Sequence, residues 1–129
     1  MRLLIKKNDI EKIVRKAVKS PVELAGFLIG IKGSEDFIVK YIYNADPSDN
    51  TNVSFKIKPN DTYNAIKQAE SENLEIIGVY HTHPAPPEPS SKDREGMKAW
   101  PGVWLIIDSR TGRYGAWNEK LEKIIVETI

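Results

Sequence analysis

Both histidines of the chain lie in one short segment, Tyr80-His81-Thr82-His83-Pro84. Side chains two positions apart on an extended strand point to the same face, so His81 and His83 can direct two imidazoles to one point. The carboxylate of Asp93, which follows a proline-rich turn, can reach that point too. Zinc accepts these three ligands, and catalytic zinc sites combine three protein ligands with water. The pair alone would equally suit two scattered surface histidines, so Asp93 carries much of the argument.

Two other residues could supply acid–base chemistry to such a site. Glu23 is the only charge in the apolar run Val22–Ile31, where a carboxylate either lies at the exposed mouth of a strand or serves a purpose. Beside a metal, a glutamate can carry the proton that the leaving amine of an amide requires. Ser90 can donate a hydrogen bond to a developing oxyanion, or it can be a plain helix N-cap. For both residues the sequence leaves the two alternatives open.

Composition excludes several classes of function. The chain has 129 residues, which is the size of one ordinary domain, and we expect a single domain over residues 1–129. It contains no cysteine, so disulfides, thiolate metal sites and cysteine nucleophiles are excluded. The formal net charge is only +1 and the basic residues are spread along the chain, which argues against a nucleic-acid partner.

The same composition gives no sign of a membrane protein. No apolar run approaches the ~20 residues that a membrane span needs. The N-terminal stretch Met1–Lys7 has an apolar core too short for a signal peptide. We therefore expect a soluble, cytoplasmic protein without a membrane partner.

The elements that must position these residues are mostly strands. One strand would end near the histidines, with Ile77, Val79, His81 and His83 on one face, at a carboxyl end where sites of α/β sheets often lie. Helices are predicted after Asn8 as a cap, after Pro59 with Tyr63, Ile66 and Ala69 inward, and after Ser90 or Ser91. Strands are predicted over Arg2–Ile5, Val22–Ile31, Asp36–Asn44, Val53–Ile57, Leu74–Tyr80, Val103–Ile107, Arg113–Trp117 and Lys123–Val126. We predict an α/β (α+β) domain with one mixed β-sheet flanked by about three helices.

The order of these groups resembles a known family. Glu23, then His81-Thr82-His83-Pro84, then Pro89-Ser90-Ser91-Lys92-Asp93 is similar to the pattern Glu, H-x-H-P, P-S-x-x-D of the JAMM (MPN+, JAB-domain) zinc metalloproteases. The resemblance extends along the whole chain, and the compact length resembles stand-alone prokaryotic and archaeal members. It implies a cytidine-deaminase-like JAB/MPN core, one Zn²⁺ per chain, and cleavage after the C-terminal glycine of ubiquitin-like proteins.

The resemblance also implies a role for each residue. His81, His83 and Asp93 would be the zinc ligands, Glu23 would deprotonate the attacking water and protonate the leaving amine, and Ser90 would stabilise the tetrahedral intermediate. One departure is that the loop from His83 to Ser90 is a residue shorter than the usual family spacing. An alignment through Ser91 would keep that spacing, but it would place Arg94, which cannot bind zinc, at the ligand position.

Three hypotheses follow for the function. The first is a zinc isopeptidase or peptidase acting on conjugates of ubiquitin-like modifiers. The others are a non-catalytic MPN-type scaffold that binds proteins, and a zinc amidohydrolase that processes sulfur-carrier proteins or small peptides. A nucleobase deaminase is disfavoured, because its Cys-x-x-Cys ligands are impossible here. The loop Ala45–Asn52 and the strand at Val53–Phe55 are expected to border a groove for an extended substrate tail; the oligomeric state is open, with a homodimer as one option.

Overall fold

A computed structural model describes residues 1–45, 57–100 and 102–129. In these ranges the chain forms helices α1 (Lys7–Lys19), α2 (Pro59–Ser71) and α3 (Ser91–Ala99). The strands are β1 (Arg2–Ile5), β2 (Ala25–Lys32), β3 (Asp36–Asn44), β4 (Glu75–His83), β5 (Val103–Asp108), β6 (Tyr114–Trp117) and β7 (Lys123–Thr128). Apart from their end residues Ala45 and Ile57, the predicted loop Ala45–Asn52 and strand Val53–Ile57 lie outside the described residues.

The strands close into a barrel in the order β1, β3, β2, β4, β5, β6, β7. Closure depends on β1, which pairs in parallel with β3 on one side and with β7 on the other. The prediction of a mixed β-sheet flanked by about three helices is therefore wrong. The alternation of side chains predicts individual strands but not how they pair. Closure pairs Arg2 with Ile125, which lie near opposite ends of the chain, and no local sequence pattern indicates that pairing.

Two clusters of buried side chains lie on opposite faces of the barrel wall. The first core takes residues from every one of the seven strands and from α1, so it occupies the inner face. The second core lies under α2 and α3 and contains Phe27, Ile29, Ala65, Ala69, Val79, Met97 and Trp104. The first core contains Leu3, Ile5, Ile10, Ile13, Ala17, Leu28, Phe37, Val39, Ile77, Tyr80, Val103, Leu105, Ile107, Ala116 and Ile124.

The helix starts are only partly as predicted. Asn8 is not the cap of α1: the helix begins at Lys7, whose N–H donates to the Ile129 carbonyl at 3.0 Å. Helix α2 begins at Pro59 as predicted, but Tyr63 and Ile66 are 60% and 39% exposed. Its buried residues are small, Ala65 and Ala69, which lets the helix lie close to the barrel wall. Of the helices in the described ranges, none is long and apolar enough to cross a membrane.

Strand β4 has an irregularity that sets which side chains face the site. Its pairing with β2 places Gly78 opposite Leu28 and Ile76 opposite Ile29, so Ile77 is an extra residue in a β-bulge. A bulge inverts the alternation of side chains. Ile77 therefore joins the first core while Val79 joins the second, and the prediction that they share a face is wrong.

Candidate metal centre and acid–base site

Strand β4 continues through His83, three residues beyond the predicted end at Tyr80. His81 and His83 lie two and four positions after Val79, so strand alternation places them on the face of the second core. The two histidines are only 5% and 6% exposed. The strand thus presents both imidazoles to a site that is nearly closed to solvent.

Helix α3 brings Asp93 to the same face. Asp93 and Met97 are one helical turn apart and each is 1% exposed, and Met97 packs in the second core. Ser90 is the N-cap: its Oγ accepts the Asp93 N–H at 3.1 Å, and Asp93 Oδ2 accepts the Ser90 N–H at 2.9 Å. This reciprocal capping box holds the carboxylate in one orientation.

The Asp93 carboxylate lies between the two imidazoles. His81 Nε2 is 3.5 Å from Asp93 Oδ1, and His83 Nε2 is 3.3 Å from Asp93 Oδ2. Within the described residues, neither buried ring nitrogen of His83 makes a hydrogen bond. Ligand atoms in a tetrahedral zinc shell stand about 3.3–3.4 Å apart, given bonds of about 2.0–2.1 Å. The separations are closer to that spacing than to a hydrogen bond of about 2.9 Å.

The same stretches of chain contain no complete, preformed set of three histidine, cysteine, aspartate or glutamate ligands. The fit to a metal therefore depends on the two pair distances, on the unbonded nitrogens of His83, and on the charge states of the three side chains.

The charge states of His81 and Asp93 suit metal ligands, whereas the raised pKa of His83 favours its protonated form, which releases a proton when a metal binds. Burial lowers the pKa of His81 to about 4, although Asp93 opposes the shift, so this imidazole is neutral at pH 7. At His83 the contact with Asp93 outweighs burial and raises the pKa. Burial alone would raise the pKa of Asp93, but His83, the Ser90 N–H and His81 together lower it. Asp93 is therefore ionised, and a carboxylate with a neutral imidazole is the protonation state in which metals bind.

Glu23 lies just before β2, which begins at Ala25 rather than at the predicted Val22. Its side chain is half-buried, and burial raises the pKa of Glu23; Asp93 adds to this shift, whereas His83 and Lys92 oppose it. The carboxylate is thus within electrostatic reach of His83 and Asp93. The structure therefore brings all five predicted site residues to one end of the barrel, although their roles stay predictions.

Two residues near the site were missed from the sequence. Thr82 accepts the Leu24 N–H through its hydroxyl at 2.8 Å and donates its own N–H to the Leu24 carbonyl at 2.9 Å. Trp117 Nε1 donates to the Pro87 carbonyl at 3.0 Å, which fastens the proline-rich loop to β6. A hydroxyl between two candidate ligands was a visible signal for Thr82. Nothing local in the sequence marks Trp117.

Chemically, the site combines a candidate metal-binding triad with a candidate proton carrier and a candidate hydrogen-bond donor. Glu23 has a raised pKa, which suits a group that both accepts and returns a proton. Ser90 Oγ accepts a hydrogen bond from Asp93, so its own O–H proton can serve another acceptor. Such a set of groups is suited to metal-assisted hydrolysis.

Comparison with known proteins places this fold and site in a family. The model for prokaryotic homologs of the JAB domain matches residues 6–120, and the chain belongs to that family. The resemblance to JAMM/JAB proteins is thereby confirmed. A desampylase of Pyrococcus furiosus is 41% identical over 132 residues, covering 97% of this chain and 91% of that protein. A desampylase of Haloferax volcanii is 33% identical over 101 residues, covering 74% and 68%.

Solved structures share the fold at lower identity. A protein from Desulfitobacterium hafniense has a TM-score of 0.77 at 23% identity and covers 98% of this chain and 94% of that one. A structure described as a metalloprotease-like zinc site in the proteasome and signalosome has a TM-score of 0.59 at 17% identity, covering 100% and 97%. At these identities the likeness concerns the fold.

Proposed function

We propose that the protein is a zinc-dependent isopeptidase or peptidase that cleaves after the C-terminal glycine of ubiquitin-like modifier or sulfur-carrier proteins. The observation that carries the proposal is the Asp93 carboxylate, held by the Ser90 cap between His81 and His83 at 3.3–3.5 Å. Family membership supports a JAMM-type hydrolase. Since the family model spans residues 6–120, we also propose that residues 1–129 form one catalytic domain.

His81, His83 and Asp93 would hold the metal. Two imidazoles and a carboxylate favour zinc among the metals that nitrogen and oxygen can bind, and three protein ligands leave a position for water. Zinc at this site would supply a Lewis acid that polarises the carbonyl and activates water. The buried position of all three side chains excludes bulk solvent and strengthens their interaction with a cation.

Glu23 and Ser90 would perform the proton and charge chemistry. The Glu23 carboxylate accepts the proton of the attacking water and returns it to the leaving lysine amine, and its raised pKa favours the acceptance. The Ser90 hydroxyl donates to the oxyanion of the tetrahedral intermediate while its oxygen continues to cap α3.

The names of the relatives support the substrate class. Two curated relatives of this chain are desampylases, which favours an isopeptidase acting on a ubiquitin-like modifier. A protein conjugate, rather than a free small molecule, is therefore the substrate to test first. Linear fusions of sulfur-carrier proteins and short peptides are the comparison substrates, because the same residues could hydrolyse them.

The proposal is tested with a modifier–lysine conjugate and with purified wild type and Glu23→Gln. We expect one Zn²⁺ per chain in both proteins, since Glu23 is not a ligand. Turnover by wild type should be abolished by a chelator and restored by Zn²⁺, and Glu23→Gln should reduce kcat about 10²-fold or more, as removal of a general base does. Glu122→Gln, an exposed carboxylate far along the chain, is the matched control and should retain full turnover.

Two results would contradict the proposal. A wild-type protein that binds no zinc would remove the metal site. Undiminished turnover by Glu23→Gln would remove the general base. Zinc binding without cleavage of conjugate, fusion or peptide would instead favour the non-catalytic scaffold, which differs from the enzyme in having no turnover.

A further inference from the structure

The contact between Thr82 and Leu24 departs from a regular antiparallel ladder. In such a ladder a hydrogen-bonded pair exchanges two bonds, each from an N–H to the partner's carbonyl. Thr82 donates its N–H to the Leu24 carbonyl at 2.9 Å as expected. The Leu24 N–H instead donates to the Thr82 hydroxyl, at 2.8 Å. A side chain has therefore replaced the backbone acceptor at this end of the β2–β4 pairing.

This replacement occurs at the point where the chain leaves β2. The last regular pair is Ala25 with His81, so Leu24 stands beside Thr82 and Glu23 is the next residue outward. Regular pairing at Leu24 would extend the strand and carry Glu23 along β4. Thr82 is 1% exposed, and its hydroxyl holds the Leu24 N–H at 2.8 Å in place of the Thr82 carbonyl.

We propose that Thr82 is a positioning residue that acts through Glu23, setting the distance between the Glu23 carboxylate and the His81–His83 pair; the inference rests on the proposed function. Thr82 lies between the two histidines and faces away from them, because successive side chains of a strand alternate. Its backbone is thus fixed relative to the candidate metal ligands, while its hydroxyl is fixed relative to the segment that carries the general base.

The isosteric pair Thr82→Val and Thr82→Ser separates the hydroxyl from the shape of the side chain. Thr82→Val removes the acceptor, so the Leu24 amide must pair elsewhere and Glu23 moves with it. We expect kcat on the modifier–lysine conjugate to fall about 10-fold or more, because misplacement by about 1 Å can cost about 10²-fold. KM should change less than about 2-fold, and Thr82→Ser should restore kcat to within about 3-fold of wild type.

Two further measurements show through which residue Thr82 acts. Zinc content should stay at one per chain in Thr82→Val, because the ligands do not depend on the hydroxyl. In a Glu23→Gln background, Thr82→Val should reduce kcat by less than about 2-fold further, because residues that act as one unit are not additive. Thr62→Val in α2, which removes a hydroxyl that donates to the carbonyl of the N-cap residue Lys58, is the control for loss of a part-buried hydroxyl and should leave kcat unchanged.

The outcomes separate this inference from the proposed function. Wild type without turnover overturns both. If wild type shows turnover and Thr82→Val has the same kcat, this inference alone is overturned. Loss of zinc in Thr82→Val, or an additive loss in the Glu23→Gln background, also overturns it, because Thr82 would then act on the ligands or on the fold instead of on Glu23.

Discussion

At the scale of single residues, Asp93 connects a folding signal to the candidate chemistry. One of its oxygens accepts the Ser90 N–H at 2.9 Å and lies 3.3 Å from His83, and the other lies 3.5 Å from His81. The capping box that starts α3 is therefore the same interaction that aims the carboxylate at the imidazoles. Ser90 is both an N-cap and a candidate oxyanion donor, so the two alternatives drawn from the sequence are compatible.

The two roles of Ser90 can be separated by substitution. Ser90→Ala should lower the free energy of unfolding by about 1 kcal/mol through loss of the cap, whereas Ser90→Gly should cost only a few tenths. Both remove the hydroxyl donor, so both should reduce kcat by about 10²-fold or more. Ser90→Thr keeps cap and donor and serves as the control. Chemical denaturation measures the free energy of unfolding, and conjugate-cleavage kinetics measure kcat. If kcat follows the free energy of unfolding across the three variants, Ser90 is only a cap.

At the scale of elements, the site depends on β4 and α3 meeting over the second core. The bulge at Ile77 shifts the alternation of β4, so that Val79 and the histidines share a face with Met97 and Trp104. Met97 fixes the inner face of α3, and Asp93 lies one turn before it on that face. The position of one candidate ligand is therefore set by apolar packing in the second half of the helix.

Met97 tests this dependence. Met97→Ala should lower the free energy of unfolding by about 2–5 kcal/mol, as large-to-small changes in a core do. It should also weaken Zn²⁺ binding, because α3 loses the contact that orients Asp93. Met97→Leu preserves volume and should cost less than about 1.5 kcal/mol. Lys98→Ala, at an exposed neighbouring position, is the control and should change neither the free energy of unfolding nor the zinc affinity. If a zinc titration shows that folded Met97→Ala binds Zn²⁺ with wild-type affinity, the dependence of Asp93 on Met97 is contradicted.

How far these elements could be predicted depends on how local their signals are. The helix start at Pro59 and an N-cap at Ser90 or Ser91 follow from residues within one turn; the structure confirms the first and selects Ser90 for the second. The histidines could be placed on one face because alternation over three residues is local. The bulge at Ile77 was missed, because it is defined by a mismatch with Leu28 and Ile29 of another strand. The hydroxyl contact of Thr82 with Leu24 joins residues 58 positions apart and was missed for the same reason.

At the scale of the whole molecule, closure of the barrel and the candidate site depend on two separate cores. The first core contains side chains of all seven strands and so maintains closure, whereas the second core lies under the helix that carries Asp93. Arg2 adds a surface link at the closing strand: its Nε is 3.0 Å from Asp36 of β3 and its Nη1 is 2.7 Å from Glu127 of β7. Closure thus has a buried apolar component and an exposed ionic one.

Leu3 and Arg2 allow the two components to be compared. Leu3 is 0% exposed in β1, so Leu3→Ala should lower the free energy of unfolding by about 2–5 kcal/mol. Arg2 is 46% exposed, so Arg2→Ala should cost no more than about 1 kcal/mol, and less in high salt. Because Leu3 belongs to the first core and Arg2 lies on the exposed surface, both variants should bind Zn²⁺ with wild-type affinity at temperatures where they are folded, in contrast to Met97→Ala. Denaturation curves measure the free energy of unfolding, and zinc titrations measure the zinc affinity. If the zinc affinity of Leu3→Ala falls in parallel with its stability, the two cores act as one.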